Sequence, residues 1–96
     1  MRSRYLVSYD VCHPRRLRRV HKKMKGYGEP LQFSVFLCDL SEQEKILMVA
    51  DVTDIIKSDE DQVMIVNLGS PEGRGKECIE FLGAQRPPEE PGAVVI

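Results

Sequence analysis

The sequence predicts an α+β domain, one layer of strands covered on one face by two helices. Three observations carry that reading. Apolar residues alternate over Tyr5–Asp10, Leu31–Leu40 and Gln62–Leu68, the period of strands. Between them, residues 14–27 and 41–57 repeat apolar side chains at helical spacing. Ninety-six residues leave room for one domain. Such a chain buries roughly 60–65% of its unfolded surface, so its core is thin and dimerisation would help.

Tyr5 to Asp10 is the first strand, bounded by charge before it and by His13-Pro14 after it. Pro14 suits a first helical turn, where its missing N–H costs nothing. The helix runs to about Tyr27, with Leu17, Val20, Met24 and Tyr27 as its buried stripe and Gly26 and Gly28 as its stop. Leu31 to Leu40 reads as one second strand. Leu31, Phe33, Val35 and Leu37 alternate with Gln32, Ser34, Phe36 and Cys38, so both faces carry apolar groups. Ser41 with Glu44 is a capping box that opens a second helix. It extends to about Lys57 with Ile46, Val49, Ala50, Thr53 and Ile56 on its inner side.

Asp59-Glu60-Asp61 is a turn, and Gln62 to Leu68 is a third strand. Glycine and proline make 69–75 a loop, and Cys78 to Leu82 is a short fourth strand. Residues 85–92 are a Pro-rich linker, within the single 1–96 domain, to a C-terminal strand Ala93-Val94-Val95-Ile96. That apolar end is expected to pair with a sheet edge, of its own chain or of a second copy. The order reads β-α-β-α-β-β. Strands joined through helices and a hairpin on one sheet assign a ferredoxin-like sandwich of the βαββαβ type. Its open face suits dimerisation, and Phe36 and the tail are expected there.

The net charge of −1 hides a split. Residues 1–28 hold nine Lys and Arg and a single acid, Asp10; residues 29–96 hold five bases and fourteen acids. That pattern predicts one polyanion-binding face and one solvated acidic face. Cys12, Cys38 and Cys78 form no C-x-x-C pair, which argues against a disulfide framework or a zinc site and for reduced thiols in the cytoplasm. No signal peptide is expected, and no apolar run reaches the length of a membrane span.

Asp10 is the first candidate site residue. A carboxylate is a hard oxygen ligand suited to Mg²⁺ or Mn²⁺, which hold phosphates with few protein ligands. The positive end of the following helix favours its ionised form. One carboxylate is a poor site, but a two-fold dimer would supply two. The plainer reading is a loop aspartate capping a backbone N–H. Arg15, Arg16, Arg18, Arg19, Lys22 and Lys23 crowd the first helix, which contains no acid to pair with them. Arginine forks fit phosphate, so this helix is expected to bind a nucleic-acid backbone without reading its bases. His13 is a candidate base or ligand, with helix-opening residue as the plainer alternative. His21 is placed at the edge of the basic face. Tyr9 could offer a hydroxyl or a ring to a base, and Ser34 and Phe36 lie in the second strand with packing as their alternative. The glycines of 69–75 lack the spacing of a phosphate loop.

Tyr9-Asp10-Val11, Arg15-Arg16-Leu17-Arg18-Arg19-Val20, Gly26-Tyr27-Gly28, Gln32-Phe33-Ser34-Val35-Phe36 and Val63-Met64-Ile65-Val66-Asn67-Leu68-Gly69 occur in that order. Together they resemble the Cas-two family of CRISPR-associated proteins. The resemblance implies a ferredoxin-like homodimer that exchanges a C-terminal strand. It implies a role in spacer acquisition, bridging copies of the Cas-one integrase in a prokaryotic cytoplasm. It also implies metal-dependent cleavage of single-stranded RNA or duplex DNA, with Asp10 at the metal position and Tyr9, Arg19, Ser34 and Phe36 around it. His13 and Pro14 stand where many members carry further acids, and Leu17 where a base is common. Two readings follow. One is a nuclease, with Mg²⁺ on paired Asp10 carboxylates and His13 as proton acceptor. The other is a scaffold whose basic helices hold duplex DNA while the integrase does the chemistry. A small-molecule-binding regulatory module is a third class, opposed by the arginine block.

Overall fold

A computed structural model describes residues 1–84, so the linker and C-terminal strand expected over residues 85–96 lie outside the described residues. The elements are β1 (Arg2–Asp10), α1 (Pro14–Met24), β2 (Glu29–Gln32), β3 (Val35–Ser41), α2 (Glu42–Ile55) and β4 (Gln62–Gly69), followed by a 3₁₀ turn at Arg74–Lys76. The sheet order is β2-β3-β1-β4, with every neighbouring pair antiparallel. This is the ferredoxin-like βαββαβ arrangement.

Alternation along β1 decides its two faces. Tyr5, Val7 and Tyr9 are buried beneath the helices, so Leu6, Ser8 and Asp10 face the other way. On β3 the buried set is Phe36, Cys38 and Leu40. Val20 and Met24 from α1, and Met48, Val52 and Ile55 from α2, close the core. The stripe expected on α1 is the one that packs, with Leu17 and Tyr27 half-buried at its ends.

The second strand is two strands. Phe33-Ser34 turns the chain between β2 and β3, and Ser34 takes the left-handed conformation at φ 59°. Neither residue is the Gly or Asn that usually takes a positive φ in a two-residue turn, so the run looked continuous. The hairpin that the sequence placed after β4 is therefore here, and Cys78–Leu82 forms no strand. Pairing of β2 with β3 needs the chain to pass close against β3 directly after α1. Gly28 permits this: a Cβ there would sit 2.4 Å from the Leu37 carbonyl oxygen.

The capping box of α2 is formed, with Ser41 Oγ accepting the Glu44 N–H and Glu44 accepting the Ser41 N–H. Its buried face is a correction. Met48, Val52 and Ile55 enter the core and Ile56 packs against it as expected, whereas Ile46, Val49, Ala50 and Thr53 are exposed, with Val49 and Thr53 on the rim of a groove beside β4. The helix is apolar nearly all round, so periodicity alone could not choose the face. Phe36 is also corrected: it is fully buried under α1, not on the open face. What lines the open face is Leu6 between Leu37 and Val66, and Ser8 between Val35 and Met64. Met64 is 52% exposed and Val66 38%.

Candidate functional site

β1 carries Asp10 to the end of the sheet, where it pairs with Gln62 of β4. Its carboxylate is exposed and makes no hydrogen bond or ion pair among the described residues. Ser34 stands at the same end, because its carbonyl accepts the Tyr9 N–H at 3.0 Å. Four residues after Asp10, α1 begins at Pro14. His13 is its N-cap: Nδ1 accepts the Arg15 N–H at 3.1 Å, which makes His13 the residue that opens the helix.

Arg15, Arg18, Arg19, Lys22 and Lys23 project from α1 into solvent. None of the five makes a hydrogen bond or ion pair among the described residues. Arg16 differs. Its Nε donates to Asp61 Oδ2 at 2.8 Å, its Nη2 donates to Asp61 Oδ1 at 3.2 Å, and the same Nη2 reaches Glu60 at 3.0 Å. The helix itself has no acid, yet the turn before β4 supplies two. Within the arginine block, Arg16 is thus already paired with carboxylates of its own chain. Sequence could not single out Asp61 within Asp59-Glu60-Asp61, since the three acids look alike until the fold buries one of them.

Tyr9 and Phe36 do not join Asp10. They lie on the helix-covered face with His21, whose Nδ1 is 3.0 Å from the Tyr9 hydroxyl. The His21 ring meets Phe36 edge-on, 5.3 Å between centroids, and Tyr9 stacks 6.2 Å from Phe36. Burial pushes the Tyr9 hydroxyl up to about 12, so it stays protonated near neutral pH. These three side chains join β1, β3 and α1. His21 thus packs inward rather than edging the basic face.

Electrostatics tie the rest of the frame. Arg4 forks onto Asp39 at 2.7 and 2.9 Å and donates to the Gly75 carbonyl at 3.1 Å. Arg2 pairs with Glu44. Four carboxylates are held below their usual range: Asp39 by Arg4, Glu44 by the Ser41 N–H and then Arg2, Glu60 by Lys57 and then Arg16, and Asp61 by Arg16. Each has a folded-state pKa lower than its unfolded one. Each therefore stabilises the fold above the unfolded value, near 4, and loses that contribution as pH falls through the folded value. The melting temperature should be flat above about pH 5 and fall progressively below about pH 4. A pH series of thermal melts checks this; equal melting temperatures at pH 3 and pH 6 would contradict it.

Among the described residues, no three His, Cys, Asp or Glu side chains converge on a metal position. Asp10 still fits a divalent ion of the Mg²⁺ kind, which takes one or two carboxylates and fills its other positions with water and phosphate. No helix among the described residues is long and apolar enough to cross a membrane.

Residues 1–74 match the family model of the CRISPR associated protein Cas2. A CRISPR-associated endoribonuclease Cas2 of Geobacter sulfurreducens is 44% identical over 72 residues, covering 75% of this chain and 76% of that one. A second such protein, from Rhodospirillum rubrum, is 41% identical over 68 residues, covering 71% of this chain and 67% of that one. The crystal structure of Streptococcus pyogenes Cas2 at pH 6.5 superposes with a TM-score of 0.72 at 33% identity, over 83% of this chain and 99% of that one. With the fold, the strand-end aspartate and the basic helix in place over the matched region, the chain belongs to the Cas2 family of CRISPR-associated proteins.

Proposed function

We propose that this chain acts as a homodimeric, metal-dependent phosphodiesterase in CRISPR spacer acquisition, cleaving RNA or duplex DNA. One observation carries it. Asp10 is an exposed, unengaged carboxylate at the end of the open sheet face, next to an apolar strip suited to a second copy. Two-fold pairing on that strip would bring two Asp10 side chains toward one another. Paired Asp10 carboxylates would hold Mg²⁺ or Mn²⁺, which supplies charge stabilisation and an activated water at a scissile phosphate. The exposed cations of α1 bind and orient the backbone. His13 already commits Nδ1 to its helix cap, so only its other ring nitrogen could take a proton. The relatives' endoribonuclease names agree with this chemistry.

Exchange of the C-terminal strand would use the outer edge of β4. β2, at the other edge, is short, bulged and contains Pro30, features that block strand addition. β4 runs eight residues and borders an apolar groove of about 190 Å³ lined by Val49, Thr53, Ile56, Val63 and Ile65.

Asp10→Ala should cut Mg²⁺-dependent cleavage by at least about a hundredfold, the upper range for losing even a residue that only supports a metal ligand. Duplex binding should stay within about threefold, because Asp10 is not among the phosphate-binding cations. Cleavage that persists in Asp10→Ala would defeat the nuclease reading. Met64→Glu with Val66→Glu places like charges across the open face of each copy. Light scattering should then show a monomer, and cleavage should be lost with the dimer. An unchanged mass would move the interface elsewhere.

A second reading is favoured by the layout itself. The cations lie on the helical layer and Asp10 on the open sheet face, so a duplex along α1 need not touch Asp10. In that reading the protein is a scaffold that holds duplex DNA for the Cas-one integrase. Spacer capture that survives Asp10→Ala would select it.

A further inference from the structure

Asp61 stands just before β4, and its side chain has no solvent exposure. The carboxylate meets four donors. Oδ1 accepts the Cys12 N–H at 2.9 Å and Arg16 Nη2 at 3.2 Å; Oδ2 accepts Arg16 Nε and the Lys57 N–H, both at 2.8 Å. These donors come from three places: the loop after β1, the first helix, and the end of the second helix. Cys12 adds its own tie, with Sγ donating to the Glu60 carbonyl at 3.0 Å. The next residue, Gln62, is the cross-strand partner of Asp10. Asp10 is thus fixed from both directions, by its pairing with Gln62 on one side and by the anchored Cys12 on the other.

We infer that Asp61 is the positioning residue of this end of the sheet: it sets the loop through which Asp10 passes into α1, and it withholds Arg16 from phosphate. The link to catalysis rests on the nuclease reading above; the placement of the loop and of Arg16 does not. Side-on pairing of an arginine with a carboxylate fixes orientation as well as charge. A buried carboxylate with four donors has no free acceptor direction for water, so the arrangement has one geometry. Arg16 is consequently a structural counter-charge, and the phosphate-binding set of α1 is Arg15, Arg18, Arg19, Lys22 and Lys23.

The test uses the full chain with Asp61→Asn, Arg16→Gln and, for comparison, Arg19→Gln. In folded Asp61→Asn, the Cys12 and Lys57 amides should exchange with water at least about tenfold faster, while those of Val7 and Phe36 keep their protection. Cleavage at saturating Mg²⁺ should fall by about ten- to a hundredfold per folded molecule, with KM for the nucleic acid within about threefold. Arg16→Gln should leave the salt slope of duplex binding unchanged, whereas Arg19→Gln should lower it by about 0.9. Wild-type protection of the Cys12 amide in folded Asp61→Asn overturns the inference. So does a slope that falls as far in Arg16→Gln as in Arg19→Gln. If Asp61→Asn does not fold, the Arg16→Gln comparison decides, since that variant keeps the bonds from Asp61 to both backbone amides. If Asp10→Ala cleaves like the wild type, the nuclease reading fails, and amide exchange and salt slope still decide the role of Asp61.

Discussion

Changing Arg15, Arg18, Arg19, Lys22 and Lys23 together to Gln should weaken duplex binding by on the order of 10³-fold near 0.1 M salt and flatten its salt dependence by about four to five in slope per chain. The expectation comes from counterion release: each phosphate neutralised contributes about 0.9 to the slope. All five side chains are exposed and unengaged, so none has to abandon an internal partner to meet DNA. Nor should the substitutions cost much stability, since they leave Val20 and Met24 in the core and Arg16 on Asp61. The effect should not depend on sequence, because these contacts position the backbone and read no base edges. Titrations at several salt concentrations on two unrelated duplexes check both points. A slope equal to the wild type's would mean that phosphate is held elsewhere on the molecule.

Phe36→Ala should destabilise the domain by about 3–5 kcal/mol, the usual cost of emptying a buried aromatic site. In a domain whose whole stability is on the order of 5–15 kcal/mol, that leaves little margin. Phe36 is fully buried and touches both Tyr9 and His21, so the cavity would open where β1, β3 and α1 meet. Phe36→Leu keeps most of the volume and should cost less than half as much. Urea denaturation followed by far-UV dichroism measures both. A loss under about 1 kcal/mol for Phe36→Ala would mean that this core refills itself. Phe36 therefore affects any activity through the fold, and its loss should lower binding and cleavage alike.

The elements with private signals were legible. β1 alternates cleanly, Pro14 marks the start of α1, and the Ser41–Glu44 capping box marks α2. The features that failed were those in which several residues compete for one role. β3 is apolar on both sides, so only pairing shows that Phe36 points to the helices and Leu37 to the open face. The same holds for α2, where Met48 rather than Val49 enters the core. Ser34 takes a left-handed turn conformation that Gly or Asn would ordinarily announce. At the site, Asp10 and the basic helix stood out because each contrasts with its surroundings in sign. Asp61 did not, since it is one acid among several and only tertiary packing separates it from Glu60.

The separation of α1 from the open face has an electrostatic result. Lys22 lies seven residues beyond Arg15, a further ~10 Å along the helix axis. The thickness of the helical layer adds roughly another 10 Å between its outer surface and the sheet. The Debye length at physiological ionic strength is only about 8 Å. The cations of the last helical turns are therefore screened from Asp10, and their field fades before it reaches the carboxylate. Salt would therefore weaken any grip of these distant cations on a phosphate backbone without changing the field they place on Asp10.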